Sequence, residues 1–296
     1  MKETTQSEYD KAVNNVVDYI DRHLFEVPDI KRLSEIANIS EYHFHRIFKA
    51  IIGENIGEYI NRLRLEYIAE HLQMTKHTLS EIAVKTGYGT KYALSKAFKK
   101  HFGISPSAFR MQEEDASNFF RKAERVTISL VPEIKKIPSK QAVYIRIIDS
   151  YGAAESYTIA WKRLGQFAKE NNLVNDKTEF IGLSFDNPTI THPQNCRFYA
   201  CYTVDREVRP QGAFGLQKIS GGMYAIFILK GSYSGLLDMY YNIYLRWLPQ
   251  SGYKLRGGYA FEKYLNSPNN VSEDDVLTEI YIPISKLENF DQPLFL

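Results

Sequence analysis

Through about its first 110 positions the chain repeats apolar residues every three or four places, and beyond Val126 it repeats them every second place. The first spacing predicts helices and the second predicts strands. Residues 8–25 set Val13, Val16, Val17, Ile20 and Leu24 on one stripe, which predicts a packing helix stopped by Val27, Pro28 and Asp29. Residues 58–73 predict a second long helix with Ile60, Leu63, Tyr67, Ile68 and Leu72 facing inward. Residues 77–110 predict a short helix, a tight turn and another helix. Leu79, Ile82 and Ala83 line the first helix, and Gly87 supplies the φ > 0 that a tight turn favours. Thr90 caps the second helix, Gly103 closes it, and Ser105 and Pro106 start another as cap and first residue.

The same plan stands 50 residues earlier: Phe48 and Lys49 fall on Phe98 and Lys99, Gly53 falls on Gly103, and Ser40 caps where Thr90 does. Leu33 falls on Ile82 with one residue fewer in the first turn. Two helices around a short turn, the second one basic, make the helix-turn-helix plan. Four stretches carry a closer likeness. They read S-x-x-x-F-x-R-x-F-K from Ser40 to Lys49, R-L-x-x-x-x-x-x-L from Arg64 to Leu72, I-A-x-x-x-G-Y from Ile82 to Tyr88, and F-K-K-x-F-G-x-S-P-x-x-F-R from Phe98 to Arg110. In this combination the block resembles the AraC/XylS family of bacterial transcription regulators. The resemblance implies binding of double-stranded promoter DNA, with activation through RNA polymerase expected rather than repression. A joining helix of this length spans roughly 25 Å. It can hold two recognition helices about one DNA turn, ~34 Å, apart.

The second half reads as strands at 126–148 broken at Pro138, a helix at 154–172, strands at 179–185 and 197–204, and then the same order again. Residues 215–232 predict a strand, 234–249 a helix, and 256–265 and 276–284 two more strands. Lys136 and Ile137 match Lys218 and Ile219, and Tyr151 matches Tyr233, both at a spacing of 82, so an internal β-α-β-β duplication is expected. This half resembles the GyrI-like effector-binding module, on the strength of Y-x-F-E-x-Y at Tyr259 to Tyr264 followed by L-T-E-I-Y-I-P-I at Leu277 to Ile284. Rob-type members of the AraC/XylS family have this order of parts. The expected architecture is multi-domain. An all-α domain with two helix-turn-helix units covers 1–112, a linker 113–124, and an α+β domain of a duplicated β-α-β-β unit 125–296.

A net charge of +2 says little until it is placed. From Lys85 to Arg110 there are six Lys or Arg and no acid, whereas residues 1–30 are mildly acidic, which fits one DNA-facing surface. Cys196 and Cys201 lie in one predicted strand on opposite faces, so a disulfide between them is not expected and a reducing compartment is. There is no signal-like start and no apolar run near the ~20 residues of a membrane span, so a cytoplasmic protein without membrane contact is expected.

On the first recognition helix Phe44, Ile47 and Phe48 are read as core. By the resemblance Tyr42, His45 and Arg46 take the base-reading positions, with Lys49 beside them. Arg46 is the strongest candidate, because a guanidinium can pair bidentately with guanine. On the second helix Tyr92, Ala93 and Lys96 take the matching positions, and Lys91, Lys99 and Lys100 read as phosphate contacts. Family members often carry Arg at the Lys96 position, and Lys there weakens bidentate reading. Solvated helix faces are the plain alternative.

In the C-terminal half, Ala260, Glu262 and Tyr264 share one strand face, as Glu279 and Tyr281 do in the next strand. A buried acid is costly unless paired, so Glu262 suggests a pocket for a cationic or hydrogen-bonding small molecule, with Tyr144, Trp161, Tyr224, Tyr233, Tyr264 and Tyr281 supplying rings. The alternative is an ion pair of Glu262 with a Lys or Arg at a sheet edge, with the rings as core. No cofactor or metal is expected, since His43 and His45 diverge and His71 and His77 lack partners at ligand spacing. The chain is not expected to be an enzyme: residues 231–235 lack the serine of a nucleophile elbow, and phosphate-loop and zinc-protease motifs are missing. Some GyrI-like proteins are hydrolases, and Glu262 with Tyr264 or Tyr281 would be the acid–base pair in that reading. A C-terminal half that serves only as a protein-interaction surface is the remaining alternative.

Overall fold

The structure, a computed structural model, describes residues 3–26, 29–112 and 130–287. Val27 and Pro28, the expected linker at 113–124 and the start of the strand expected from Val126 lie outside the described residues. The chain forms two compact units, one helical and one built on a sheet.

In the helical unit, α1 (Glu3–Arg22) buries Val13, Val16, Val17 and Ile20, and Leu24 is half-buried just past its end. The first helix-turn-helix is α2 (Ile30–Ala37) and α3 (Glu41–Ile52), the second α5 (Leu79–Lys85) and α6 (Lys91–Phe102), with α4 (Ile56–Met74) between them. Residues 106–112 form α7. Side chains satisfy the free N–H groups that open these helices. Asp29 accepts from the amide of Lys31, Asn55 from Glu58, Thr90 from Ala93 and Ser105 from Ala108. Thr78 and Glu81 form a reciprocal capping box. Gly53, Gly87 and Gly103 take φ of 92°, 77° and 78°, which explains glycine at each turn.

Helix α4 departs from the expected single stripe. Ile56, Tyr59 and Leu63 join α1, α2 and α3 in one core, while Leu65, Ile68, Ala69 and Leu72 join α5 and α6 in another. Tyr67, expected inward, is 37% exposed, and Ile60 is half-buried. A helix that walls two cores needs apolar residues on two sides, and one 3.6-residue stripe cannot describe it.

Each half of the second unit holds the expected β-α-β-β core preceded by a short extra strand, and the second half adds another short strand after its helix. The first half is β1 (Glu133–Ile137), β2 (Lys140–Ile148), α8 (Ala154–Glu170), β3 (Phe180–Ser184) and β4 (Arg197–Val204). The second is β5 (Phe214–Ile219), β6 (Gly222–Lys230), α9 (Leu236–Asn242), β7 (Tyr253–Leu255), β8 (Phe261–Tyr264) and β9 (Leu277–Lys286). The single strand expected at 215–232 is two strands, parted at Ser220 and Gly221. The helix expected to reach Pro249 changes to π-helical turns at Ile243–Trp247.

The strand order is β1-β6-β9-β8-β3-β4-β2-β5, with β7 on β9. In a flat sheet β1 and β2 would stand six strands, or about 29 Å, apart. Only Pro138 and Ser139 join them, and that connection can span no more than about 11 Å. The sheet must therefore roll until its edges approach, and β5 and β6 impose the same closure. Gly221 lies where the two connections cross: a Cβ there would come 2.6 Å from the backbone nitrogen of Ser139. Tyr144, Tyr199, Tyr224, Phe261 and Tyr281 fill the inside of the roll, and α8 and α9 cover its outer face.

Candidate functional site: two recognition helices and a buried acid

Helices α3 and α6 bury Phe44, Phe48, Leu94 and Phe98 and turn their remaining faces to solvent. Tyr42, His45, Arg46 and Lys49 are exposed on α3, and Lys91, Tyr92, Lys96, Lys99 and Lys100 are exposed on α6. Tyr42 and Tyr92 are 70% and 76% exposed, unusual for rings of this size. The Arg46 guanidinium lies 5.9 Å from the Tyr42 ring, and the Lys91 ammonium 5.3 Å from the Tyr92 ring. Each recognition helix thus presents a tyrosine with a cation over it near its N-terminus.

In the second unit the eight residues expected around one ligand fall on two faces of the sheet. Glu262 pairs in register with Ile280 and with Gly182, so Glu279 and Tyr281 point to the opposite side. Inside the roll, Tyr281 donates to Glu279 at 2.8 Å and stacks on Phe261, with Tyr224 edge-on to both rings. Tyr144 stacks on Tyr199 in the same interior. Glu279, Tyr281, Tyr144 and Tyr224 therefore do not share a site with Glu262. Sequence spacing fixes which residues of one strand share a face, but only the register between strands tells which faces coincide.

Glu262, Tyr264, Trp161 and Tyr233 do come together on the outer face. Glu262 is 1% exposed. Its Oε1 accepts 2.6 Å from the Tyr240 hydroxyl, and the Ser184 hydroxyl lies 3.4 Å away. Its Oε2 is buried and has no hydrogen bond among the described residues, nor is any described Lys or Arg paired with it. Burial pushes its pKa up to about 7, while the hydrogen bonds from Tyr240 and Ser184 pull the other way. Burial and the nearby Glu262 charge hold the Tyr240 and Tyr264 phenols well above their usual range. Tyr264 meets Trp161 of α8 edge-on at 5.8 Å and Tyr233 at 5.4 Å. The alternative of a sheet-edge Glu262 in an ion pair is not met among the described residues: β8 is a central strand, and the ion pairs of Lys263 go to Glu179 and Glu279 on the other face.

Sequence reasoning missed Tyr240. Tyr240 and Tyr244 stack one turn apart, beside a core stripe of Met239 and Ile243, so a polar-tipped ring next to the core face was the available signal. It also missed Gly182, whose missing side chain leaves room for the carboxyl. A Cβ there would lie 2.8 Å from Glu262 Oε2 and 2.7 Å from the Phe198 ring, and would also strike the Tyr264 hydroxyl.

A cavity of about 590 Å³ opens elsewhere on this unit, beside Lys140, Lys177, Glu179, Asp205 and Arg206. It is lined by no aromatic ring and by none of the expected ligand residues. Among the described residues no three His, Cys, Asp or Glu are placed to hold a metal ion.

Comparison with known proteins extends along nearly the whole chain. The chain is 23% identical over 290 residues to the transcriptional regulator Rob of Salmonella typhimurium, covering 93% of this chain and 98% of that protein. It is 22% identical over 290 residues to the right origin-binding protein of Escherichia coli K12, with the same coverage. A cryo-EM structure of an EcmrR–DNA complex aligns over 88% of this chain and 100% of that one, at 17% identity and a TM-score of 0.48. Residues 33–112 match the helix-turn-helix domain of AraC/XylS type, and residues 131–285 match the GyrI-like small molecule binding domain. The chain therefore belongs to the GyrI-like family, carries that domain behind an AraC/XylS helix-turn-helix domain, and is a DNA-binding transcription regulator.

Proposed function

We propose that the second unit senses a small cationic aromatic molecule at Glu262, and that the first binds promoter DNA through Tyr42, His45, Arg46 and Lys49 on α3 and Lys91, Tyr92, Lys96, Lys99 and Lys100 on α6. The observation that carries the sensing role is the state of Glu262: a carboxyl 1% exposed, bonded to hydroxyls alone, with one oxygen bare. Such a group weakens the fold unless something else rewards it. A cation does so by supplying the missing counter-charge, and Trp161, Tyr233 and Tyr264 offer it ring faces and edges. In the state described here Tyr240 occupies the carboxyl, so the effector takes the place of its hydroxyl.

The unit acts by binding rather than turnover, since it is carried in one chain with a DNA-binding helix-turn-helix domain. By family resemblance the outcome is activation through RNA polymerase.

A thermal-shift panel of cationic, neutral and anionic aromatics, run on wild type and Glu262→Gln, tests the sensing role. A cation that stabilises only the wild type is expected. Cations that stabilise both forms equally, or none that stabilises either, would remove the charge role of Glu262 and favour a protein-interaction surface.

A further inference from the structure

Between the two apolar sides of α4 lie Arg62 and Glu66, each only 6% exposed. Charges this deep need partners, and the guanidinium of Arg62 is fully committed. Its Nε donates to Glu54 Oε1 at 2.9 Å, its Nη2 donates to Glu54 as well, and its Nη1 donates to Glu66 at 3.1 Å. Glu54 sits in the turn between α3 and α4, so the pair ties the end of the first recognition helix to the middle of α4. The guanidinium also lies 5.3 Å from the Tyr59 ring, which meets Phe48 of α3 edge-on at 5.4 Å. On the far side the charge is felt in α6: burial, and then Arg62, lower the pKa of His101 in its last turn. One side chain thus holds the end of α3 through Glu54 and stands on the helix whose Leu65, Ile68, Ala69 and Leu72 pack with Leu94 and Phe98 of α6.

We propose that Arg62 is a positioning residue which, with Glu54 and Glu66, sets the register between the two recognition helices and so the spacing of DNA boxes the chain accepts. An apolar trio of similar volume would hold the fold as well or better, because a buried ionic network returns little net stability. What the network adds is a single geometry. The guanidinium fork is planar and rigid and meets two carboxylates from fixed directions, whereas apolar contacts let α3 and α6 slide over α4.

The test uses the full chain and a duplex selected by the wild type from a random library, with its two protected boxes then moved by one or two base pairs. Each base pair displaces a box by about 3.4 Å and turns it by about 35°. The wild type should lose about tenfold or more in affinity per step as simultaneous engagement fails. Glu54→Gln, Arg62→Met and Glu66→Gln together remove all three charges. This variant should keep its helical circular dichroism and its affinity for a single box, and its spacing penalty should shrink to about threefold or less. Arg62→Lys keeps the charge but loses the fork and should fall between. An unchanged penalty in either folded variant, a loss equal at every spacing, or a wild type indifferent to spacing would each overturn the proposal.

Discussion

Replacing Glu262 with glutamine should stabilise the sheet unit, and only at higher pH. The carboxyl has a pKa of about 7 in the folded chain against an ordinary 4.5. The folded state therefore binds its proton more tightly than the unfolded state does. Stability consequently falls as pH rises, starting near 4.5 and ending a little above 7. The difference of about 2.5 units, at about 1.4 kcal/mol per unit, amounts to roughly 3 kcal/mol lost by the wild type above pH 7. Glutamine keeps the shape and an oxygen for Tyr240 but never ionises. The variant should match the wild type near pH 4.5 and exceed it by about 3 kcal/mol at pH 8, or by about 10 °C in melting midpoint for a unit of this size. Urea unfolding read by tryptophan fluorescence is suited to this, because both tryptophans, Trp161 and Trp247, lie in the sheet unit. Groups with depressed pKa values, such as Asp149, are shared by both proteins and cancel in the difference. Parallel stability curves across pH 4.5 to 8 would refute the reasoning, as would a variant less stable at every pH.

Arg46→Ala should cost about 1–3 kcal/mol at the base it reads and relax preference there, while Lys99→Ala should weaken all sequences alike and lower the salt slope by about one. Footprint-based selection with each variant checks this, and an unchanged base preference in Arg46→Ala counts against its role. Gly182→Ala should destabilise the sheet unit by about 1–3 kcal/mol, because its Cβ has nowhere to go between Phe198 and Glu262. The same tryptophan-monitored unfolding measures it, and an unchanged midpoint would mean the carboxyl is not packed as described.

Much of the helical unit could be read from residues alone because its signals are local. Thr90, Gly103 and Ser105 each do a job within one turn of chain, and they do it where the spacing says. The stripe of α4 fails for a nonlocal reason, since Tyr59 and Leu65 are buried against two different cores. In the sheet unit, Glu262 stands out as an acid in an apolar strand, and the fold confirms that it is buried. Its neighbours do not follow from spacing. Glu279 and Tyr281 are close to it in sequence pattern yet face away, because β8 meets β9 with Glu262 opposite Ile280. Tyr240 reaches the carboxyl from α9, across a distance in sequence that no periodicity spans.

The duplication also explains why the unit has one such acid rather than two. Strands β3 and β8 hold corresponding places in the two halves, and they pair with each other antiparallel, so that Gly182 stands opposite Glu262. A carboxylate on both strands at that level would bring two negative charges together in a buried site, and the second would be forced to keep its proton. Even a methyl group at 182 meets Glu262 Oε2 at 2.8 Å. One half therefore contributes the acid and the other contributes the space for it. The hydroxyls follow the same division, with Ser184 coming from the first half and Tyr240 and Tyr264 from the second. A duplicated scaffold that kept its symmetry would have filled this position twice. Asymmetry at 182 and 262 is what turns a packed strand pair into a single charged site.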